Sequence, residues 1–195
     1  DYAWFLALAQ MWDAATRHAP LTMLVPNAFY GLPFWTISFI SAAPFFAAEN
    51  YAGVLVAPRY VEVLFGAGSL FVLTWALRTE MNYRFSSERA LLAVAPLLVL
   101  LMPIWWVQAD LIHPQHMLIF SELLAVYFLI RDQGALGKNY RAAVVMAGVA
   151  FAVKFEAVAL SPIFLAYLGL AHYCGTAKNV SFTRKILFSL SVPIV

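Results

Sequence analysis

The residues from Ala90 to Val107 form an 18-residue run without one charged side chain, and comparable apolar runs recur along the chain, cut by short polar clusters. Such a run is close to the ~20 apolar residues that an α-helix needs to cross a bilayer. Composition agrees: 64% of residues are hydrophobic, 11% are charged, and the mean hydropathy is +0.80. Soluble domains carry about 25% charged residues, so water is a poor solvent for this surface and lipid a good one. The sequence therefore predicts an all-α, polytopic transmembrane bundle. The net charge of +2, with no long basic run and no aromatic platform interleaved with Lys or Arg, gives no footprint for nucleic acid. A single cysteine, Cys174, excludes an internal disulfide.

The chain divides into readable elements. Residues 1–17 have a helical period, with Trp4, Leu8, Met11 and Ala15 on one face, and read as an amphipathic helix lying in the outer interface. Residues 18–33 hold three prolines, a glycine and an asparagine and read as an aromatic-rich loop. Helix A is expected at Pro33–Ala48, a loop at 49–58 and helix B at Pro58–Leu77. A polar link at 78–89 leads to helix C at Ala90–Val107, and a turn at 108–115 leads to helix D at His116–Ile130. The polar turn 131–141 precedes helix E at Ala142–Val153, and Lys154-Phe155-Glu156 precedes helix F at Ala157–Tyr173. Helix E has 12 residues, or about 18 Å at 1.5 Å per residue. It must stop short of one surface or continue through Lys154 as a broken helix. The apolar run Ile186–Val195 is too short to span. The whole reads as a single domain, 1–195, truncated at both ends: an outer interfacial helix and loop (1–32), then about five to six membrane helices and an incomplete one (33–195).

Nine of the twelve Lys and Arg residues fall in the segments 78–89, 131–141 and 174–185, and only Arg17, Arg59 and Lys154 lie elsewhere. Cytoplasmic loops are enriched in basic residues, so those three segments are expected inside. Asp1, Asp13, Glu49, Glu62, Asp110 and Glu156 then lie on or near the outer side, in a multi-pass protein of a bacterial or archaeal inner membrane.

The outer side collects the residues able to do chemistry: Asp1, the Asp110/His113 pair before Pro114, Lys154 with Glu156, and Glu122 early in helix D. An ionisable group in hydrocarbon costs at least about 2.5–3.5 kcal/mol and faces a partner or a wet cavity. Glu122 is open to two readings, a structural hydrogen bond or a cavity group. Lys154 reads either as a snorkelling lysine paired with Glu156 or as a point charge for a lipid phosphate at a broken helix. Asp110 and His113, with His116 nearby, read as capping and interfacial polarity or as groups that orient a hydroxyl. Two such ligands make no complete metal site. Asp1 reads equally as a helix N-cap. The segment Asn27–Trp35, which includes Tyr30, suits either an aromatic belt or stacking on a sugar or isoprenoid. Phosphate-loop, dinucleotide, nucleophile-elbow and zincin motifs are absent from the sequence.

The order of short motifs resembles a known superfamily. DYAWFLALAQ opens on an acid, YG-x-PFW leads into a helix, and APRYVEVLFGAGSL follows. An outer turn then carries an acid and HPQ before a helix ending in LIR, and AGVAFAVKFEAVALSPIFL follows a basic turn. This layout is similar to the N-terminal half of the integral-membrane GT-C glycosyltransferases, in particular the protein O-mannosyltransferase-like and aminoarabinose-transferase-like branch. The resemblance implies transfer of a sugar from a polyprenyl-phosphate donor to a lipid, glycan or protein acceptor at the extracytoplasmic face. It implies Asp1 and Asp110 as catalytic acids, His113 beside Asp110, and Lys154 holding donor phosphate, with Glu156 and Tyr30 lining the donor site. A divalent metal is used by some members and no ligand set for one is assigned here. Many members carry two acids in the first outer loop, whereas only Asp1 stands here. Two other readings compete: a non-enzymatic transporter or lipid flippase, and a catalytically dead assembly subunit.

Overall fold

The structure is a computed structural model of the chain and describes residues 2–18, 31–80 and 113–173, with a few positions between 94 and 102. Helix C, the terminal apolar run and Cys174 fall largely or wholly outside the described residues. Every described element is helical: α1 (Tyr2–Thr16), α2 (Leu32–Ala47), α3 (Tyr51–Glu80), α4 (Gln115–Asp132), α5 (Lys138–Val153), a 3-10 helix (Phe155–Leu160) and α6 (Ser161–Tyr173).

The helix read at 1–17 is α1. Its buried stripe is Ala7, Leu8, Met11 and Ala14, spaced as one face of a helix. Asp13 and Arg17 pair across one turn on the exposed side, 2.8 Å apart. Aromatic rings fasten α1 to α2. Trp4 lies against Phe34 and Trp35, and Trp12 stacks on Phe46 with centroids 5.6 Å apart.

Helix B starts earlier than its sequence suggests. The stretch 49–58 reads as a loop because Pro58 is a natural first-turn residue. Instead α3 begins at Tyr51 and runs through Pro58. The Asn50 side chain explains the early start: its Oδ1 accepts the Gly53 N–H at 3.1 Å, the hydrogen bond of a good N-cap. Only a tight turn is left between α2 and α3, and Glu49 takes a left-handed φ of 54° within it.

Helix α5 also begins early. Lys138, Asn139 and Arg141 read as a polar turn, yet they form the first turn of the helix. A remote carboxylate caps them. Asp132 Oδ1 accepts the N–H groups of Gly137 (2.9 Å) and Tyr140 (3.1 Å), and its Oδ2 accepts that of Leu136 (2.6 Å).

The relative directions of the helices follow from their contacts. Glu62 on α3 meets the first turn of α4, and Gly68 farther along meets Phe120, so α3 and α4 run the same way. Helices α4 and α5 form an antiparallel hairpin that turns at 133–137. The chain reverses again at Lys154, and α6 returns until Tyr167 donates to Asp132 Oδ2 at 2.9 Å. One end of this bundle is therefore the Asp132 turn and the other is the Lys154 turn.

Helix α2 is the helix A expected from the sequence. Its 16 residues rise about 24 Å, less than the ~30 Å of a hydrocarbon core. Its start touches the end of α5, where Gly31 N–H donates to Val153 O at 2.9 Å. Its end leads into α3 well before Glu62. Because α3 and α4 are parallel, that first part of α3 lies beyond the start of α4, on the Lys154 side. Helix α2 packs along that first part of α3, where a β-carbon on Gly53 would meet the Phe45 ring, and α1 packs on α2.

Two stretches, Tyr51–Thr79 and Phe155–Tyr173, are long and apolar enough to cross a membrane. Among the described residues only 22% and 28% of their most apolar windows are buried, unlike the core helix of a soluble protein. Tyr60, Leu64, Phe71 and Trp75 make an exposed stripe down α3. A contiguous apolar stripe of this size belongs against lipid or another protein.

Candidate functional site

The helical backbone is interrupted at the end of α5. Lys154 has extended backbone, φ −157° and ψ 133°, between α5 and the 3-10 helix. Of the two outcomes expected for a 12-residue helix E, the structure shows a break at Lys154, in the form of a reversal, while the helix itself has 16 residues because it starts at Lys138. Because the chain turns back at this residue, the lysine amine stands at the head of the bundle. Its Nζ donates to Glu156 Oε1 at 2.8 Å and to Gln115 Oε1 at 3.4 Å. The lysine side chain is 16% exposed and that of Glu156 is 62% exposed. The cation is thus largely shielded, and its carboxylate partner lies mostly in the open.

Gly31 holds the back of this turn. A β-carbon at position 31 would fall 1.3 Å from the Ala152 carbonyl oxygen. No side chain fits there, which gives a physical reason for glycine in the YG-x-PFW segment. Pro33 follows in the first turn of α2, where its missing N–H costs nothing. Phe34 and Trp35 are buried next to it.

The start of α4 supplies the other wall. His113 lies just before it, in the electrostatic field of both Lys154 and Glu156. Burial holds the His113 imidazole below its ordinary pKa, and the Lys154 charge pushes in the same direction, against a weaker opposing pull from Glu156. A neutral imidazole is therefore the resting form at pH 7. Glu122, two turns into α4, is half-buried and also feels Glu156.

A helix N-terminus is ordinarily a seat for an anion, because its first N–H groups lack partners. In α4 that seat is taken. Glu62 of α3 is 2% exposed, and its Oε2 accepts the N–H of His116 at 3.1 Å and of Met117 at 3.4 Å. The His116 ring is equally buried, with Nδ1 4.0 Å from the same oxygen. A ligand phosphate arriving at this end would thus meet the Lys154 amine rather than backbone N–H groups of α4.

Of the residues expected from the sequence to form the site, His113, Lys154 and Glu156 come together here. Asp1, Asp110 and Tyr30 lie outside the described residues. Among the described residues no three His, Cys, Asp or Glu side chains are grouped to hold a metal ion. Two participants do not stand out in the sequence. Gln115 sits in a polar turn without distinction. Glu62 reads only as an acid on the outer side, although an acid inside an otherwise apolar helix is itself a signal for a buried partner. At the opposite end of the bundle, an open hollow of about 500 Å³ between α4 and α6 is lined almost wholly by apolar side chains, among them Val126, Leu129 and Leu170. It offers little chemistry beyond the Tyr167 hydroxyl.

No protein-family profile, curated protein or solved structure matches the chain.

Proposed function

We propose that this chain is the catalytic-face portion of a membrane glycosyltransferase that moves a sugar from a polyprenyl-phosphate donor to an acceptor on the extracytoplasmic side of a multi-pass membrane domain. The observation that supports it best is Lys154: a shielded ammonium at a helix reversal, at the head of an apolar bundle, balanced by the exposed carboxylate of Glu156. A lipid-linked phosphate carries the charge to replace that carboxylate and the hydrocarbon tail to lie along the apolar stripes of α3 and α6. The GT-C-like order of motifs points the same way.

In this reading the acceptor hydroxyl oxygen attacks the anomeric carbon while the bond from that carbon to the phosphate oxygen breaks. The hydroxyl proton passes to a carboxylate, with Asp1 and Asp110 as the candidates. The leaving polyprenyl phosphate keeps the bonding electrons, and Lys154 stabilises the charge that gathers on it. His113, neutral and next to Lys154, is available as a hydrogen-bond partner to the phosphate or sugar. The acceptor is a lipid, glycan or protein. Glu156 enters as the group displaced by phosphate, since two anions do not bind one another.

The test is transfer from a radiolabelled polyprenyl-phosphate sugar by the full-length protein in liposomes, with Lys154→Met beside it. The expected result is transfer by the native protein and a donor KM raised about 10–100-fold in the variant, as for loss of one hydrogen bond from a charged group. Substrate uptake without any glycosidic product would overturn this reading in favour of a transporter or flippase.

A further inference from the structure

We infer that Glu62 is the positioning residue of the Lys154 site: it sets the first turn of α4 so that Gln115 reaches the lysine amine. The inference rests on the proposed function for its kinetic readout, though not for its structural one. Three observations join into a chain. Glu62 is buried in α3, 54 residues away from its partner in sequence, and a single oxygen accepts the N–H groups of both His116 and Met117. Those two residues follow Gln115 directly, so whatever holds their backbone holds the Gln115 Cα. The Gln115 Oε1 then accepts from Lys154 Nζ at 3.4 Å.

The geometry also says why a carboxyl-shaped group is needed. Leu118 N–H already bonds Pro114 O at 2.8 Å, so the α4 backbone supplies its own acceptor there. For His116 and Met117 the acceptor comes from α3 instead. Farther along, Gly68 lets the Phe120 ring approach α3 closely, since a β-carbon there would lie 2.9 Å from it. Gly68 thus fixes how close the two helices come, and Glu62 fixes where α4 starts along α3. The contacts of Glu62 are with the backbone of His116 and Met117 and with the His116 ring. Its effect on the site passes through Gln115.

The experiment compares Glu62→Gln, Glu62→Ala and Gln115→Leu in the full-length protein. The side-chain amide oxygen introduced by Glu62→Gln can accept both N–H groups, so this variant is expected to stay within about twofold of native in donor KM. Glu62→Ala and Gln115→Leu are expected to raise donor KM about tenfold, with kcat per folded molecule little changed. Labelling of Lys154 by acetic anhydride, read by mass spectrometry, gives an activity-independent check: faster in Glu62→Ala and in Gln115→Leu, unchanged in Glu62→Gln. If Glu62→Ala does not fold, Gln115→Leu and Glu62→Gln still decide the matter. The inference is overturned if Gln115→Leu leaves Lys154 labelling at the native rate, or if folded Glu62→Gln is as impaired as Gln115→Leu. If the native protein transfers no sugar, the glycosyltransferase reading fails while the labelling result still judges the role of Glu62.

Discussion

The α4–α5 hairpin carries a charged residue at each end, and the two ends treat it in opposite ways. At the turn between the helices, Asp132 is 5% exposed and takes three backbone N–H groups and the Tyr167 hydroxyl. Tyr167 in turn accepts the Gly134 N–H at 2.7 Å and stacks on Tyr140 with centroids 6.2 Å apart. Most of these partners are backbone groups within eight residues of Asp132, and they cannot leave without unfolding the turn. At the other end, Lys154 has two side-chain acceptors, one of them on a mostly exposed glutamate. Side chains exchange partners in nanoseconds, whereas capped backbone does not. A charge locked by backbone builds the fold, and a charge balanced by movable side chains is ready for a ligand.

The contrast predicts a double dissociation. Asp132→Ala strands buried N–H groups and the Tyr167 hydroxyl, and is expected to cost about 2–3 kcal/mol of stability while leaving donor KM unchanged per folded molecule. Lys154→Met is expected to do the reverse: the donor KM rises as described above, while stability moves by less than about 1 kcal/mol, because its ion-pair partner is open to solvent. Chemical denaturation in detergent alongside transfer kinetics reads both quantities. A large stability loss in Lys154→Met would erase the distinction.

A smaller effect sharpens it through pH. The folded His113 titrates below its ordinary value, so on acidification the unfolded chain takes up this proton first. Stability from this residue is therefore complete above about pH 6.5, its unfolded pKa, and declines as pH falls through that value towards the folded one. Denaturation midpoints between about pH 7.5 and 5 are expected to fall less steeply in His113→Asn than in the native protein. Parallel slopes would contradict a His113 imidazole held below its ordinary pKa by burial.

The legible part of this molecule is its hydropathy. Apolar runs locate α1, α2, α4 and the α5–α6 pair, and the charged Lys154-Phe155-Glu156 marks the break between the last two. Two helix starts fall elsewhere than the sequence suggests because their caps are not encoded next to them in an obvious way. Pro58 draws the eye as a helix beginning, yet Asn50 caps α3 two turns before α3 reaches that proline. The polar Lys138-Asn139-Tyr140-Arg141 looks like a turn until the Asp132 carboxylate folds back on it. The role of Glu62 is hidden for a stronger reason: its partners are 54 and 55 residues away, and only the packing of α3 against α4 brings them within reach. The seating of the α2 start against the end of α5 also depends on a tertiary contact, the Gly31–Val153 hydrogen bond.

On the proposed reading, the Lys154 end and the Asp132 turn are expected to face opposite sides of a membrane, with the lysine end outside. Single cysteines at Glu156 and Gln133, both exposed, in a Cys174→Ser background and challenged in intact cells with a membrane-impermeant maleimide, test it most directly. Labelling is expected at position 156 in intact cells and at position 133 only after permeabilisation. Labelling of both positions from the same side, or of 133 alone from outside, would contradict it.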